Sequence, residues 1–180
     1  RFTMSFFSEG VTKNKLTILY FMNKLGVAIT RDQITTVGAA YDLAPYFELQ
    51  SAVAEMEEDG LLAAVPRPYG QAYALTSNGQ AAVDMFEERL PLSLRDDLDT
   101  YADACREDIR RQIQYTARIE QRPGGECLAR LLFVEKDDTL LSVELMFPDA
   151  ASANKAAAAW PKRAEDAYCY LLSSLSGSQP

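Results

Sequence analysis

Gln50 carries on one amide the donor and the acceptor that complement an adenine edge. Glu48, two residues earlier, can accept from cytosine, and Ser51 can bond a phosphate or a base. Four cations suit phosphate: Lys13, Lys15, Arg31 and Arg67. Tyr46 and Tyr69 complete the candidate nucleic-acid contacts. This is recognition chemistry, and bond-making chemistry is missing. The chain has no histidine, which removes His-based acid–base catalysis, Ser–His and Cys–His nucleophile pairs and most zinc sites. Cys105, Cys127 and Cys169 lie far apart with no C-x-x-C spacing, which predicts reduced thiols in a cytoplasmic protein. The carboxylates come in runs, such as Glu55, Glu57, Glu58, Asp59 and Asp96, Asp97, Asp99, the pattern of solvated helix faces. Gly124-Gly125 is an isolated turn signal. No enzymatic activity, cofactor or metal site is expected.

The candidate residues need elements to hold them. A first helix over Asn14–Leu25 is apolar nearly all round, which predicts burial on several sides, a partner subunit included. Gly26 stops it. Thr30 and Gln33 fit a capping box opening a second helix that runs to Ala40. After a turn ending in Pro45, Tyr46, Leu49, Val53 and Met56 form one stripe on a third helix. Glu57-Glu58-Asp59-Gly60 ends it. Leu61–Val65 and Gln71–Leu75 read as two strands around the tip Pro66–Gly70, and Thr76 caps a fourth helix carrying Val83, Phe86 and Leu90 inward. This order is that of a winged helix-turn-helix, with the third helix as groove reader and the strand pair as wing. Tyr20, Phe21, Tyr46 and Phe47 are read as core, with an effector pocket where the first and fifth helices join as the other reading.

Beyond Pro91, with Ser93 as its cap, a long fifth helix steps through Leu94, Leu98, Tyr101, Cys105, Ile109 and Ile113. Such a seam either packs within the chain or pairs across a dimer; one small domain offers little surface to cover it, so homodimer pairing is the favoured reading. Residues 117–120 alternate, Cys127–Val134 and Leu140–Phe147 are strand-like, and Lys136–Thr139 is the turn between them. Leu141, Val143, Leu145 and Phe147 share a face. Asp149 caps a last helix with Trp160 as its anchor, Pro161 should kink or split it, and 173–180 reads as a frayed tail. The fold class is α+β: a winged helix-turn-helix (10–90), a linking and dimerisation helix (91–115) and a small α/β domain (116–176), a three-stranded antiparallel meander backed by a helix.

Several stretches carry a family resemblance: Asn14-Lys15-Leu16, Tyr46–Gln50, Asp59-Gly60-Leu61, Tyr73–Gly79 and Phe86–Pro91, with Trp160 and Tyr168 in the last helix. The chain resembles, over nearly its whole length, a bacterial winged-helix family catalogued as domain-of-unknown-function family 4364. The unit is similar, more broadly, to dimeric regulators of the multiple-antibiotic-resistance and phenolic-acid-decarboxylase types. The resemblance implies a transcriptional regulator, by analogy of fold.

Charge sets a counterweight. The net charge is −8, and residues 1–90 hold seven Lys/Arg against eleven Asp/Glu, a net of −4. The third helix has no Lys or Arg, so phosphate contacts must come from its flanks and from helix N-termini. Two readings stay open. In one, a homodimer binds double-stranded DNA and takes an unknown small-molecule effector. In the other, the winged unit is a protein-interaction or ligand-sensing scaffold. No apolar run approaches membrane-spanning length, and no signal peptide is expected at the N-terminus.

Overall fold

The computed structural model describes residues 9–67, 71–136 and 138–177. They fall into two compact units divided at Arg106/Glu107. The division lies inside the long fifth helix, so that helix contributes to both units.

The first unit runs α1 (Glu9–Leu25), β1 (Ile29–Thr30), α2 (Arg31–Ala40), α3 (Tyr46–Glu58), β2 (Leu62–Pro66), β3 (Gln71–Leu75) and α4 (Ser77–Phe86). A 3-10 turn, Glu87–Arg89, leads into α5 (Leu92–Gln114). The sheet is antiparallel in the order β1-β3-β2, which is the winged helix-turn-helix topology. The two-residue β1 is an addition to the expected strands. α1 starts earlier than expected, so Lys13 and Lys15 stand within it rather than before it. Its apolar residues Leu16, Ile18, Leu19, Tyr20, Phe21, Met22 and Leu25 are all buried in a single chain. Elements α2, α3, α4 and β3 surround it, so no partner subunit is needed to cover it.

Local chemistry sets the element ends. Thr30 and Gln33 close a capping box on α2. Gly26, at φ 70, bonds its N–H to the Met22 carbonyl and ends α1. Arg106 donates to the carbonyls of Lys24 (2.6 Å) and Leu25 (3.1 Å), satisfying acceptors that helix termini otherwise leave open. At the end of α3, Gly60 sits at φ 70 and the Leu61 N–H reaches back to the Met56 carbonyl, so Leu61 belongs to the helix stop and β2 begins at Leu62. Thr76 caps α4 as expected, accepting from the Gly79 N–H. α4 ends at Phe86, and Leu90, expected on it, is buried just past the 3-10 turn. Ser93 is not the cap of α5: the Arg95 N–H bonds the Pro91 carbonyl, which places Pro91 at the cap and Ser93 inside the helix.

The second unit holds β4 (Tyr115–Gln121), β5 (Cys127–Glu135), β6 (Asp138–Phe147) and α6 (Ala150–Leu175). The sheet is an antiparallel meander, β4-β5-β6. Glu135 pairs with Asp138, so the turn is tighter than Lys136–Thr139, and Lys136 takes φ 56; Asp137 lies outside the described residues. Tyr115, Ala129, Leu131 and Phe133 pack under Trp160 and Ala164 of α6, with Leu141, Val143 and Phe147 joining them. Leu145, expected on the same face, is exposed on the edge strand. The Trp160 indole N–H bonds the Leu132 carbonyl at 2.8 Å. Asp149 caps α6 through the Ser152 N–H at 2.7 Å. Pro161 does not split α6: one missing N–H is tolerated because Trp160 beside it is anchored on the sheet. Ser173 to Leu175, expected in the tail, are helical, while residues 178–180 and 1–8 lie outside the described residues. Among the described residues no helix is long and apolar enough to cross a membrane.

Candidate nucleic-acid interface

The candidate reading helix, α3, buries Leu49, Ala52, Val53 and Met56. The core stripe therefore begins at Leu49. Tyr46 is 53% exposed in the first turn, its ring edge-on to that of Phe47, which is 80% exposed. Both were expected in the core, and both stand out because the helix's first turn carries them off the buried stripe. Tyr20 and Phe21, by contrast, fill the α1–α5 junction: the Tyr20 hydroxyl donates to Asp99, and Phe21 lies 5.6 Å from Tyr101. Glu48 and Ser51 are exposed. Pro45 occupies the cap position of α3 with no side-chain cap, so polar N–H groups of its first turn face outward.

Two candidates come together. Arg31, the first residue of α2, donates through Nη1 to Gln50 Oε1 (3.4 Å) and through Nε to the Tyr73 hydroxyl (2.8 Å). Its guanidinium also lies over the Tyr73 ring, 5.3 Å from the centroid. Gln50 Nε2 donates to Thr35 Oγ1 at 3.2 Å. The residues span α2, α3 and β3, and Thr35 and Tyr73 were not among the sequence candidates. Their pairing follows no periodicity, so only the folded geometry reveals it.

Lys15 goes elsewhere. It is buried, with 8% of its surface exposed, and its Nζ lies 2.6 Å from Glu55 Oε2. Its charge is committed to tying α1 to α3 rather than standing free for phosphate. Lys13 is exposed. Arg67 is half-buried, and Tyr69 lies outside the described residues. Glu48 and Glu58 of α3 thus stand in solvent, while Lys15 is held by Glu55 and Arg31 by Gln50 and Tyr73.

Two clefts flank these elements. One, of about 390 Å3, is lined by Asn14, Phe47, Glu48, Ser51 and Glu55. The other, of about 440 Å3, lies between the end of α1 and the start of α4, with Met22, Asn23, Val27, Thr76 and Gln80 on its walls. It is not at the α1–α5 junction, the place of the effector pocket that was the other reading of the aromatic cluster.

The seam assigned to pairing is partly covered in the single chain. Leu98 is fully buried, Ile109 is buried, and Leu94, Tyr101, Cys105 and Ile113 are half-buried. Tyr101 meets Phe21 and, edge-on at 5.8 Å, Tyr41. Within the first unit, then, Phe21 and Tyr41 cover part of the seam's first half at Tyr101. Among the described residues no group of three or more His, Cys, Asp or Glu is placed to hold a metal ion.

No curated protein and no solved structure matches the chain. The family model described as Domain of unknown function (DUF4364) matches residues 14–175, and the chain belongs to that family.

Proposed function

We propose that the protein is a DNA-binding transcriptional regulator acting as a homodimer, with α3 in the major groove and the wing around Arg67 on the backbone or minor groove. The observation that carries this reading is the helix–turn–helix of α2 and α3 followed directly by the β2–β3 hairpin, with Tyr46, Glu48 and Ser51 exposed along α3. Lys13 and Arg67 are the side chains assigned to phosphate, assisted by the uncapped N–H groups at the start of α3. Apolar side chains that α6 exposes, Tyr170, Leu172 and Leu175, supply surface for a second copy. The cleft between α1 and α4 is the place assigned to an effector.

Fluorescence anisotropy with mixed genomic duplexes at low and moderate salt tests the reading. Saturable binding that weakens steeply with salt supports it, by about 0.9 in log–log slope per phosphate neutralised. Absence of saturable binding at micromolar protein overturns it. Arg67→Ala weakens binding across all sequences, whereas Gln50→Ala changes sequence preference.

One observation favours a second reading, a protein-interaction module. Phe47 is 80% exposed beside a cleft whose rim carries Glu48 and Glu55, the arrangement of an aromatic anchor with acidic neighbours. Phe47→Ala separates the two: it abolishes capture of a stoichiometric protein partner under this reading and leaves partner capture without meaning under the first.

A further inference from the structure

We propose that Arg31, Thr35 and Tyr73 preset the Gln50 amide as an adenine reader, an inference that rests on the DNA-binding reading above. Thr35 has one hydroxyl hydrogen, and its Oγ1 donates it to the Arg31 carbonyl at 2.9 Å. Toward Gln50 it can then only accept, so the amide atom facing it at 3.2 Å is the nitrogen. A guanidinium only donates, so the Gln50 atom facing Arg31 Nη1 at 3.4 Å is the oxygen. Two independent neighbours impose the same orientation on one amide.

Arg31 is itself held. Its Nε bonds the Tyr73 hydroxyl at 2.8 Å, and that hydroxyl passes its own hydrogen to Gln71 Oε1 at 3.2 Å. Tyr73 is fully buried, so the anchor is rigid. An amide carries two donor hydrogens and two acceptor lone pairs. One of each is engaged, which leaves one donor and one acceptor on the amide. That is the pair an adenine presents in complement through N7 and the N6 amino group. Holding the amide beforehand removes the rotamer and flip disorder that a free glutamine loses on binding. Arg31, Thr35 and Tyr73 are positioning residues in this scheme, and Arg31 serves the base contact rather than a phosphate.

The test is selection of binding sites from a random duplex library by the full chain and by Gln50→Ala, Thr35→Val, Thr35→Ser and Arg31→Lys. Circular dichroism and thermal melting confirm folding of each variant. The wild type is expected to select adenine at one position of each half-site, with roughly tenfold or greater loss of affinity when that base is changed. Gln50→Ala and Thr35→Val relax that position alone, and Thr35→Ser restores it. Arg31→Lys keeps the charge but loses the fork, and it relaxes the same position, so it carries the test should Thr35→Val not fold. A wild type that selects sites whose adenine preference none of these variants moves overturns the inference and leaves the DNA-binding reading standing. A wild type that binds no duplex overturns both.

Discussion

Lys15 Nζ lies 2.6 Å from Glu55 Oε2, joining the middle of α1 to the last turns of α3 across 40 residues of sequence. The two ends differ in solvent access: the Lys15 side chain is 11% exposed and that of Glu55 52%. The pair is therefore asymmetric. Removing the carboxylate strands a buried ammonium, while removing the ammonium leaves a carboxylate that water can solvate.

That asymmetry predicts that Glu55→Ala destabilises the first unit more than Lys15→Met does. The expected cost of Glu55→Ala is about 1–3 kcal/mol, between the values for exposed and fully buried pairs. Lys15→Met keeps the apolar stem packed and costs less. Urea unfolding followed by circular dichroism measures both. Equal losses would show that the ammonium is better hydrated than its burial implies.

The pair also marks where the sequence stopped being legible. Helix starts are local signals, and Thr30 with Gln33, Thr76 and Asp149 each cap the helix that their spacing announces. The meander was legible for the same reason, since strand alternation and turn residues lie within a few positions of each other. Lys15–Glu55 and Arg31–Gln50–Tyr73 obey no period, because each joins elements whose approach depends on packing. Tyr46 misled because its spacing from Leu49 fits the stripe while the first helical turn lies beyond the core. The α5 seam was legible as an apolar stripe, but the contacts of Phe21 and Tyr41 with Tyr101 join elements about 60 to 80 residues apart and follow no period. Of the candidate interface, the element order was readable and the partners of its polar side chains were not.

Glycines on two helices give a second prediction. A Cβ at Gly79 would sit 2.3 Å from the Leu61 carbonyl oxygen, which is backbone and also accepts from Thr76. A Cβ at Gly38 would sit 2.3 Å from Leu49 Cδ1, the end of a flexible side chain. Alanine gains about 1 kcal/mol of helix propensity at either site. At Gly38 a rotamer shift of Leu49 absorbs most of the clash, and the net cost stays below about 1–2 kcal/mol. At Gly79 the junction between β2 and α4 must open, so Gly79→Ala costs more than Gly38→Ala. Thermal midpoints of the two variants rank them, and the reverse order would contradict the close approach at Gly79.

The cap on α6 predicts an acid limb. Backbone and side-chain hydrogen bonds from Ser152 hold the Asp149 carboxyl below its ordinary value. A folded pKa lowered in this way contributes stability above the unfolded value and loses it as pH falls through the folded one. Asp149→Ala is expected to lower the thermal midpoint at neutral pH and to flatten its fall in acid. Asp149→Asn keeps an acceptor for the N–H groups and should recover most of the midpoint while also flattening the acid limb. The single tryptophan, Trp160, sits on the same helix, so its fluorescence reports this unit directly.

Two buried phenols predict an alkaline limb. The Tyr20 hydroxyl donates to Asp99 at 2.9 Å in the first unit, and that of Tyr115 donates to Glu165 in the second. Burial, and then the hydrogen bond to a neighbouring carboxylate, pushes each phenol up to about 12, from 10.0 when unperturbed. The folded value is the raised one, so the stabilisation is present in full below the unfolded pKa of about 10 and disappears as pH climbs toward 12. Urea midpoints are expected to hold level up to about pH 10 and then fall. Tyr115→Phe removes the hydroxyl and should remove this loss as read by Trp160 fluorescence, while the first unit, followed by tyrosinate absorbance, keeps its own. Tyr20→Phe gives the reverse pattern. If the wild-type phenols ionise together near their ordinary value, neither hydroxyl is buried against a carboxylate, and the packing of α1 on α5 and of α6 on the sheet would both need revision.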